Sequence, residues 1–350
     1  MRSEIDLGSI DTVVIGAGQA GLAMGYHLML RDVPFIIVDG VSAIGATWRS
    51  RYDSLKLFTP TQYASLPGLT IAMPDNHYPS KDEVAEYLQK YAKKFKFDIR
   101  LDTRVEKLTH EDSQFVLTTN RGRMTARRVI ISTGMAKTKV PSCAKKLGST
   151  VAQLHSSEYK NPSQIDAGSV CIVGAGNSGA QIAEELAELC ELYLSIDKLP
   201  KRLPQRLLGK DVFWWLIRQG VLDAVVEEKD RSLGGAPVPL IGGRLRTLLR
   251  RGLIKSAKRV VDADEHSLIF ADGAKLEPQT IIWATGFEFD DSWIEIDGVA
   301  TSAGPIQKRG VASVPGLYFV GQPWLYSKGS GFIGFVGRDA EYIARKIVDA

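Results

Sequence analysis

Short apolar runs recur along the chain, and several of them stop at glycine. Thr12–Ile15 is a β-branched run that enters Gly16-Ala17-Gly18-Gln19-Ala20-Gly21. A helical pattern through Leu22, Leu28 and Leu30 follows, and a second run, Phe35–Val38, ends in Asp39 and Gly40. The same order returns roughly 160 residues later. Val170–Val173 enters Gly174-Ala175-Gly176-Asn177-Ser178-Gly179, a helix is predicted over Ala180–Cys190, and Leu192–Ile196 ends in Asp197. Between the two units the pattern predicts a helix near Lys81–Phe95 and a strand pair around Asp98–Thr119. Arg127–Ser132 is a buried-type strand ending in Thr133-Gly134, and Thr280–Trp283 ends in Ala284-Thr285-Gly286 in the same way. The last strand, Leu317–Val320, meets Gly321, and a terminal helix is expected near Gly337–Val348.

Composition narrows this picture. The 350 residues have room for about two domains. A net charge of +4 within a balanced mixture gives no case for nucleic-acid binding. No run of 18 apolar residues exists, and the N-terminus lacks a signal pattern, so a cytoplasmic protein without a membrane span is expected. The three cysteines, Cys143, Cys171 and Cys190, are widely spaced, which fits a reducing compartment and leaves no CxxC pair for a dithiol relay. The histidines have no carboxylate or cysteine at metal spacing, so no metal site is expected.

The two glycine turns carry the chemistry. A dinucleotide pyrophosphate binds where unpaired N–H groups and the helix dipole meet its charge. The first glycine makes the turn, the second lets the backbone approach the phosphates, and the third lets helix and strand pack closely. Gly16, Gly18 and Gly21 have this spacing, with Asp39 placed to accept the ribose hydroxyls; Gly174, Gly176 and Gly179 repeat it with Asp197. One GxGxxG alone is a weak signal, but here each has its strand, helix and acid.

Together with the two Thr-Gly strand ends and Gly45-Ala46-Thr47-Trp48-Arg49, these turns resemble the class B flavoprotein monooxygenases, which include the flavin-containing, YUCCA-type and Baeyer–Villiger enzymes. The resemblance runs from Thr12 to about Ile347 and is weakest at Lys201–Asp272. It implies an α/β fold with two Rossmann-like dinucleotide-binding domains, of the disulfide-reductase-like flavoprotein type. Residues 1–160 and 283–350 would form a discontinuous FAD domain, with an NAD(P)H domain inserted at 161–282. FAD would lie on Gly16, Gly18, Gln19, Ala20, Gly21, Asp39 and Gly40, with Thr47, Trp48 and Arg49 along its pyrophosphate and ribityl chain. The run Tyr52–Pro60, including Leu55, Phe58 and Thr59, would pass the isoalloxazine ring, and Val105 would reach the adenine. Thr133, Gly134, Thr285 and Gly286 would mark the domain crossings, and Gly321, Gln322, Gly331 and Phe332 would close the flavin site. The nicotinamide cofactor would take Gly174, Gly176, Asn177, Ser178 and Gly179, with Asp197, Lys198 and Arg202 near its adenosine ribose. The implied reaction oxygenates a small organic substrate with O2 through a flavin C4a-(hydro)peroxide, as N- or S-oxidation, Baeyer–Villiger reaction or oxidative decarboxylation.

Three departures bear on that reading. Of the family fingerprint Phe-x-Gly-x-x-x-His-x-x-x-Tyr/Trp, His155 and Tyr159 are present, but Ser149 and Val151 replace the Phe and Gly. Flavin-containing relatives usually place an Asn beside the flavin, where this chain has Phe58. That removes a donor, while an apolar wall can still exclude water. Asp197 accepts hydrogen bonds from a ribose diol and repels a 2′-phosphate, whereas Lys198, Lys201 and Arg202 offset the repulsion. NADH is therefore expected to be used at least comparably to NADPH. Phe58, Arg49 and Gln322 are the candidate catalytic modulators.

Other features have plainer readings beside the functional ones. His155 either orients the nicotinamide or packs the domain crossing, the second being favoured. The Phe213-Trp214-Trp215-Leu216-Ile217 run faces the core or lines an access channel for an apolar substrate. The cluster from Arg244 to Arg259 is a solvated face, an anion attractor or a membrane surface. Two rivals stand beside the monooxygenase: an NAD(P)H oxidase or flavin reductase, and a redox-sensing regulator that binds both nucleotides. A homodimer is left open.

Overall fold

Two parallel sheets, each grown from one glycine-turn unit, organise the chain. In the computed structural model, residues 5–166, 168–226, 239–301 and 304–349 are described. The first sheet has nine strands. Its parallel centre runs Leu317–Phe319, Gly122–Ile131, Asp6–Ile15, Ile36–Val38 and Ile99–Arg100 in spatial order. An antiparallel pair, Val105–Glu111 with Gln114–Thr119, continues from Gly122–Ile131. The second sheet is parallel throughout, in the order Lys255–Ala257, Glu191–Ser195, Ser169–Val173, Thr280–Trp283, Ala152–His155.

The central strands are apolar on both faces because both faces are covered. Val13, Val14, Val129 and Ile130 are buried completely. Helix Gln19–Met29, helix Lys81–Phe95 and the terminal helix Val336–Val348 bury Leu22, Met24, Leu28, Tyr91, Ile343 and Ala344 on one side. Phe115 and Leu117 of the antiparallel pair, with Met124 of the neighbouring strand, pack on the other. Helix Lys81–Phe95 begins at a capping box. Glu83 N donates to Ser80 Oγ at 3.3 Å, and Ser80 N donates to Glu83 Oε2 at 2.7 Å.

Several boundaries differ from expectation; the first strand starts at Asp6 instead of Thr12, and the strand expected from Arg127 starts at Gly122. The second helix spans Asn177–Leu186, three residues ahead of the predicted start, because it begins directly at the glycine turn. Strand Ala152–His155 pairs with Thr280–Trp283 in the second sheet. No helix among the described residues is long and apolar enough to cross a membrane.

Candidate active site

Both glycine turns obey the same steric logic. Gly16 sits at φ +109°, and a Cβ there would lie 2.9 Å from Ser132 O. Gly174 sits at +104°, with Ala284 O 2.5 Å from the corresponding point. A Cβ on Gly21 would lie 1.8 Å from Gly16 O, and one on Gly179 2.2 Å from Gly174 O. Each third glycine is therefore the point where helix meets strand. Gly18 and Gly176 are different, with nothing within 4 Å of an added Cβ. Each is the N-cap of its helix without a side-chain cap, so the first N–H groups face open space. That space is a cradle for an anion against bare backbone.

Ser132 fastens the first turn, its hydroxyl donating to Ile15 O at 2.7 Å and lying 3.0 Å from Gly16 O. Asp39 Oδ2 accepts from Ala17 N at 2.6 Å and Oδ1 from Val41 N at 3.1 Å. Gly321 closes on the same turn, where a Cβ would lie 2.3 Å from that of Ala20. Its neighbour Gln322 is 3 % exposed, and both its Nε2 and Oε1 lack a partner. A buried amide without partners is costly unless a polar ligand completes it. With the cradle at Gly18, this orphaned amide fits FAD at the first turn.

The two turns meet on one cleft of about 200 Å³. Gln19 and Trp48 line it from the first unit, Asn177, Ser178 and Gln181 from the second. Leu55, Phe58, Thr59, Gly331 and Phe332 complete its apolar side. Trp48 Nε1 donates to Gln19 Oε1 at 3.3 Å. Tyr52 crosses between the units, its hydroxyl donating to Gln181 Oε1 at 2.7 Å, and burial pushes its pKa up to about 12. It is a neutral donor at any ordinary pH.

Phe58 forms the far wall. Its ring stacks on Phe213 at 6.0 Å and meets Phe332 edge-on at 5.9 Å. Asp211, 3 % exposed, ties this wall to both units. Its Oδ2 accepts from Tyr78 Oη at 2.6 Å and Gln205 Nε2 at 2.9 Å. Its Oδ1 caps the helix Val212–Arg218 through Phe213 N at 2.8 Å. Gln205 Nε2 also reaches Phe58 O at 3.0 Å. Burial and the neighbouring carboxylate push the Tyr78 pKa up to about 12. Sequence reading missed Tyr78, Gln205 and Gln181.

Other expected residues lie elsewhere. Arg49 points to helix Lys81–Phe95, its Nη2 lying 3.4 Å from Gln89 Oε1, and does not line the cleft. Gly40 packs on Arg104, Thr47 is exposed, and Val105 opens an antiparallel strand. At the crossings, Thr285 Oγ1 donates to Lys139 O, and Thr133 and Gly134 follow their strand at half-buried positions. His155 Nδ1 accepts from Ser157 N, so Nε2 carries the proton and donates to Gly286 O at 3.1 Å. Burial lowers its pKa, which favours this neutral form. Its bonds are structural ones across the crossing.

Asp197 lines a second cavity of about 510 Å³, together with Tyr193, Ile196, Lys258 and Lys275. Lys198 and Lys201 are exposed beside it. The Arg202 guanidinium is engaged elsewhere, donating to Gly242 O at 2.7 Å and Gly243 O at 3.1 Å. Open backbone at Gly176 with this acid nearby fits a nicotinamide dinucleotide at the second turn. All three cysteines are free, and burial raises each thiol pKa, so none is poised as a thiolate.

Two dinucleotide cradles facing one cleft define a flavin-dependent, nicotinamide-dependent oxidoreductase. Residues 13–198 match the pyridine nucleotide-disulphide oxidoreductase family. The chain belongs to that family and, within it, to the class B flavin-containing monooxygenases. It is 46% identical over 343 residues to the uncharacterized oxidoreductase CzcO-like of Geobacillus kaustophilus, covering 97% of this chain and 99% of the relative. Probable indole-3-pyruvate monooxygenase YUCCA1 of Arabidopsis thaliana is 27% identical over 354 residues, covering 88% and 84%. The flavin-containing monooxygenase from Stenotrophomonas maltophilia superposes with a TM-score of 0.82 at 26% identity, covering 98% of this chain and 99% of that one. FAD and NADP(H) are the cofactors this family implies.

Proposed function

We propose that this chain is an FAD- and NAD(P)H-dependent monooxygenase acting on a small apolar substrate. The observation that carries the reading is the shared cleft, where both glycine-turn helices begin beside an aromatic wall. In this reading the FAD unit is drawn from both ends of the chain, and the nicotinamide unit lies between them. The glycine turn at Gly16–Gly21 would hold FAD, which when bound would supply the redox chemistry linking the nicotinamide to O2. The protein's share is placement and exclusion of water. Gly18 and Asp39 would hold the adenosine diphosphate half, and the Gln322 amide would be completed by the polar edge of the cofactor. Gly176, Asn177 and Ser178 would hold the nicotinamide partner's phosphates. Phe58, Phe213 and Phe332 would keep bulk water from the reacting edge. No cleft-lining side chain is required as acid or base.

The thiol geometry speaks against disulfide reduction by the protein's own cysteines. The aromatic lining suits ring-bearing ketones, sulfides and α-keto acids, the last by analogy with the substrate in the YUCCA1 name. The decisive experiment follows NADH and NADPH oxidation, O2 uptake, peroxide release and oxygenated product across amines, sulfides, ketones and α-keto acids. An oxygenated product from at least one class is expected, with peroxide falling as product rises. Electrons recovered wholly as peroxide with every substrate would identify an oxidase instead. Nicotinamide oxidation no faster than background would favour a regulator. Phe58→Ala is expected to raise the peroxide fraction several-fold by opening the wall.

A further inference from the structure

Beyond the glycine turns, the segment after strand Glu191–Ser195 leaves the second sheet and ends in an exposed hairpin. Arg206 pairs with Asp211 and Leu207 with Lys210, antiparallel. Leu208 and Gly209 close the loop at φ +50° and +76°. Positive φ at both central positions is the mirror-image turn that favours Asn-Gly or Asp-Gly. A leucine in the left-handed region is sterically disfavoured. The protein returns nothing for it, because Leu208 is 82% exposed and Leu207 48%. An apolar side chain kept in a strained, solvent-facing position points to a partner outside the chain.

The surroundings say which partner. Trp215 Nε1 donates to Leu207 O at 3.1 Å, which fixes the indole behind the tip. The Trp214 ring meets Trp215 edge-on at 4.7 Å and lies under Lys210 at 5.9 Å and Arg218 at 5.3 Å. Between residues 206 and 218 the cations are Arg206, Lys210 and Arg218. The one acid in that stretch is Asp211, which is buried in the network behind Phe58. A leucine tip, two indoles behind it and cations of one sign match the layers of an anionic bilayer surface. Apolar tips enter the acyl boundary, indoles sit at headgroup depth, and Lys and Arg meet phosphate.

We infer that the 206–211 hairpin and the helix behind it dock the protein reversibly on anionic lipid headgroups. A second copy of the chain does not suit this face, because cations would meet cations. Nucleic acid offers the two leucines no apolar contact. The contact is peripheral, and neither signal is a stable anchor alone. The charges draw the hairpin to an anionic surface, and the leucines add depth.

The test uses the full-length flavoprotein with vesicles of phosphatidylglycerol in phosphatidylcholine, and of phosphatidylcholine alone. Co-sedimentation with the anionic vesicles is expected to be at least about tenfold stronger than with neutral ones and to vanish at high salt. Tryptophan emission should shift to the blue on binding. Leu208→Asn suits the turn better, so it should keep or raise the thermal midpoint while weakening vesicle binding about tenfold. Lys210→Glu should weaken binding without blocking folding. Equal binding to both vesicle types, no binding to either, or full binding by both variants would overturn the inference. So would a concentration-dependent dimer that Leu208→Asn dissolves in the absence of vesicle binding.

Discussion

At the first glycine turn, the Asp39 carboxylate is already tied down, accepting from Ala17 N and Val41 N at 2.6 and 3.1 Å. At the second turn, Asp197 stands exposed on the rim of its cavity, beside exposed Lys198 and Lys201. The glycine geometry around the two acids is otherwise the same. An acid oriented before its ligand arrives lowers the ordering cost of binding, which suits a nucleotide that stays. An acid facing solvent among flexible cations suits one that exchanges each turnover. The first turn is therefore expected to hold its dinucleotide longer than the second.

The sharpest way to break that comparison is to fill the third glycine of each turn. Gly21→Ala would drive a methyl to 1.8 Å from Gly16 O, and Gly179→Ala to 2.2 Å from Gly174 O. Both clashes are with backbone, so each variant should lose about 3 kcal/mol or more. Gly21→Ala should purify without FAD, whereas Gly179→Ala should keep it and lose nicotinamide turnover. The open positions provide the control. Gly18→Ala should leave the apo-protein's thermal midpoint nearly unchanged and still weaken FAD. Flavin absorbance per protein, read beside thermal melts, checks all three. FAD retained by Gly21→Ala would reverse the assignment of the turns.

The units also differ in how they meet acid. Helix Gln19–Met29 buries His27, whose Nδ1 has no partner, and burial lowers its pKa to about 4. Helix Asn177–Leu186 carries no histidine. Unfolded His27 takes up its proton near the ordinary value of about 6.5, and the folded form only near 4. The unfolded state therefore binds more protons between those values. Stability is complete above pH ~6.5 and falls as pH drops towards 4, by roughly 3 kcal/mol at most. Asp339 works in the opposite sense, because burial raises its pKa and the folded form holds the extra proton above the ordinary carboxylate range. Urea unfolding at stepped pH should show this net slope, and His27→Gln should flatten it. An unchanged slope in that variant would place the acid-sensitive group elsewhere.

Much of this frame was legible in the chain itself. Glycine at three fixed offsets after a β-branched run answers a steric demand, and the clashes found at Gly16, Gly21, Gly174 and Gly179 are that demand. The wall was half legible. Phe58 stood out as an apolar residue in a polar role, but its support did not, because Tyr78 and Asp211 lie 133 residues apart in the chain. Nothing local in a tyrosine before a proline says that it will meet a distant N-cap. The direction of Arg49 was illegible for a related reason. Its place beside Trp48 is local, but Gln89, 40 residues on, decides where the guanidinium goes. Strand Ala152–His155 escaped because its alternation covers only four residues, too few to stand out alone, and the partner strand at 280–283 defines it.

The finest test of the comparison leaves the fold alone. Asp39→Ala removes the acceptor for two backbone N–H groups and should cost about 1–3 kcal/mol together with FAD affinity. Asp197→Ala removes no such bond, so its thermal midpoint should move little. Its effect should fall on the choice between nucleotides. With the carboxylate gone, a 2′-phosphate no longer meets a like charge, and Lys198 and Lys201 become a net attraction. The ratio of kcat/KM for NADPH over NADH should then rise about tenfold, equivalent to roughly 1.4 kcal/mol. Replacing both lysines by alanine should move the ratio the other way. Each shift should shrink as salt is raised, because these groups are exposed. A ratio that ignores Asp197 would mean that the nucleotide's ribose lies elsewhere, and the likeness between the two turns would end at the pyrophosphate.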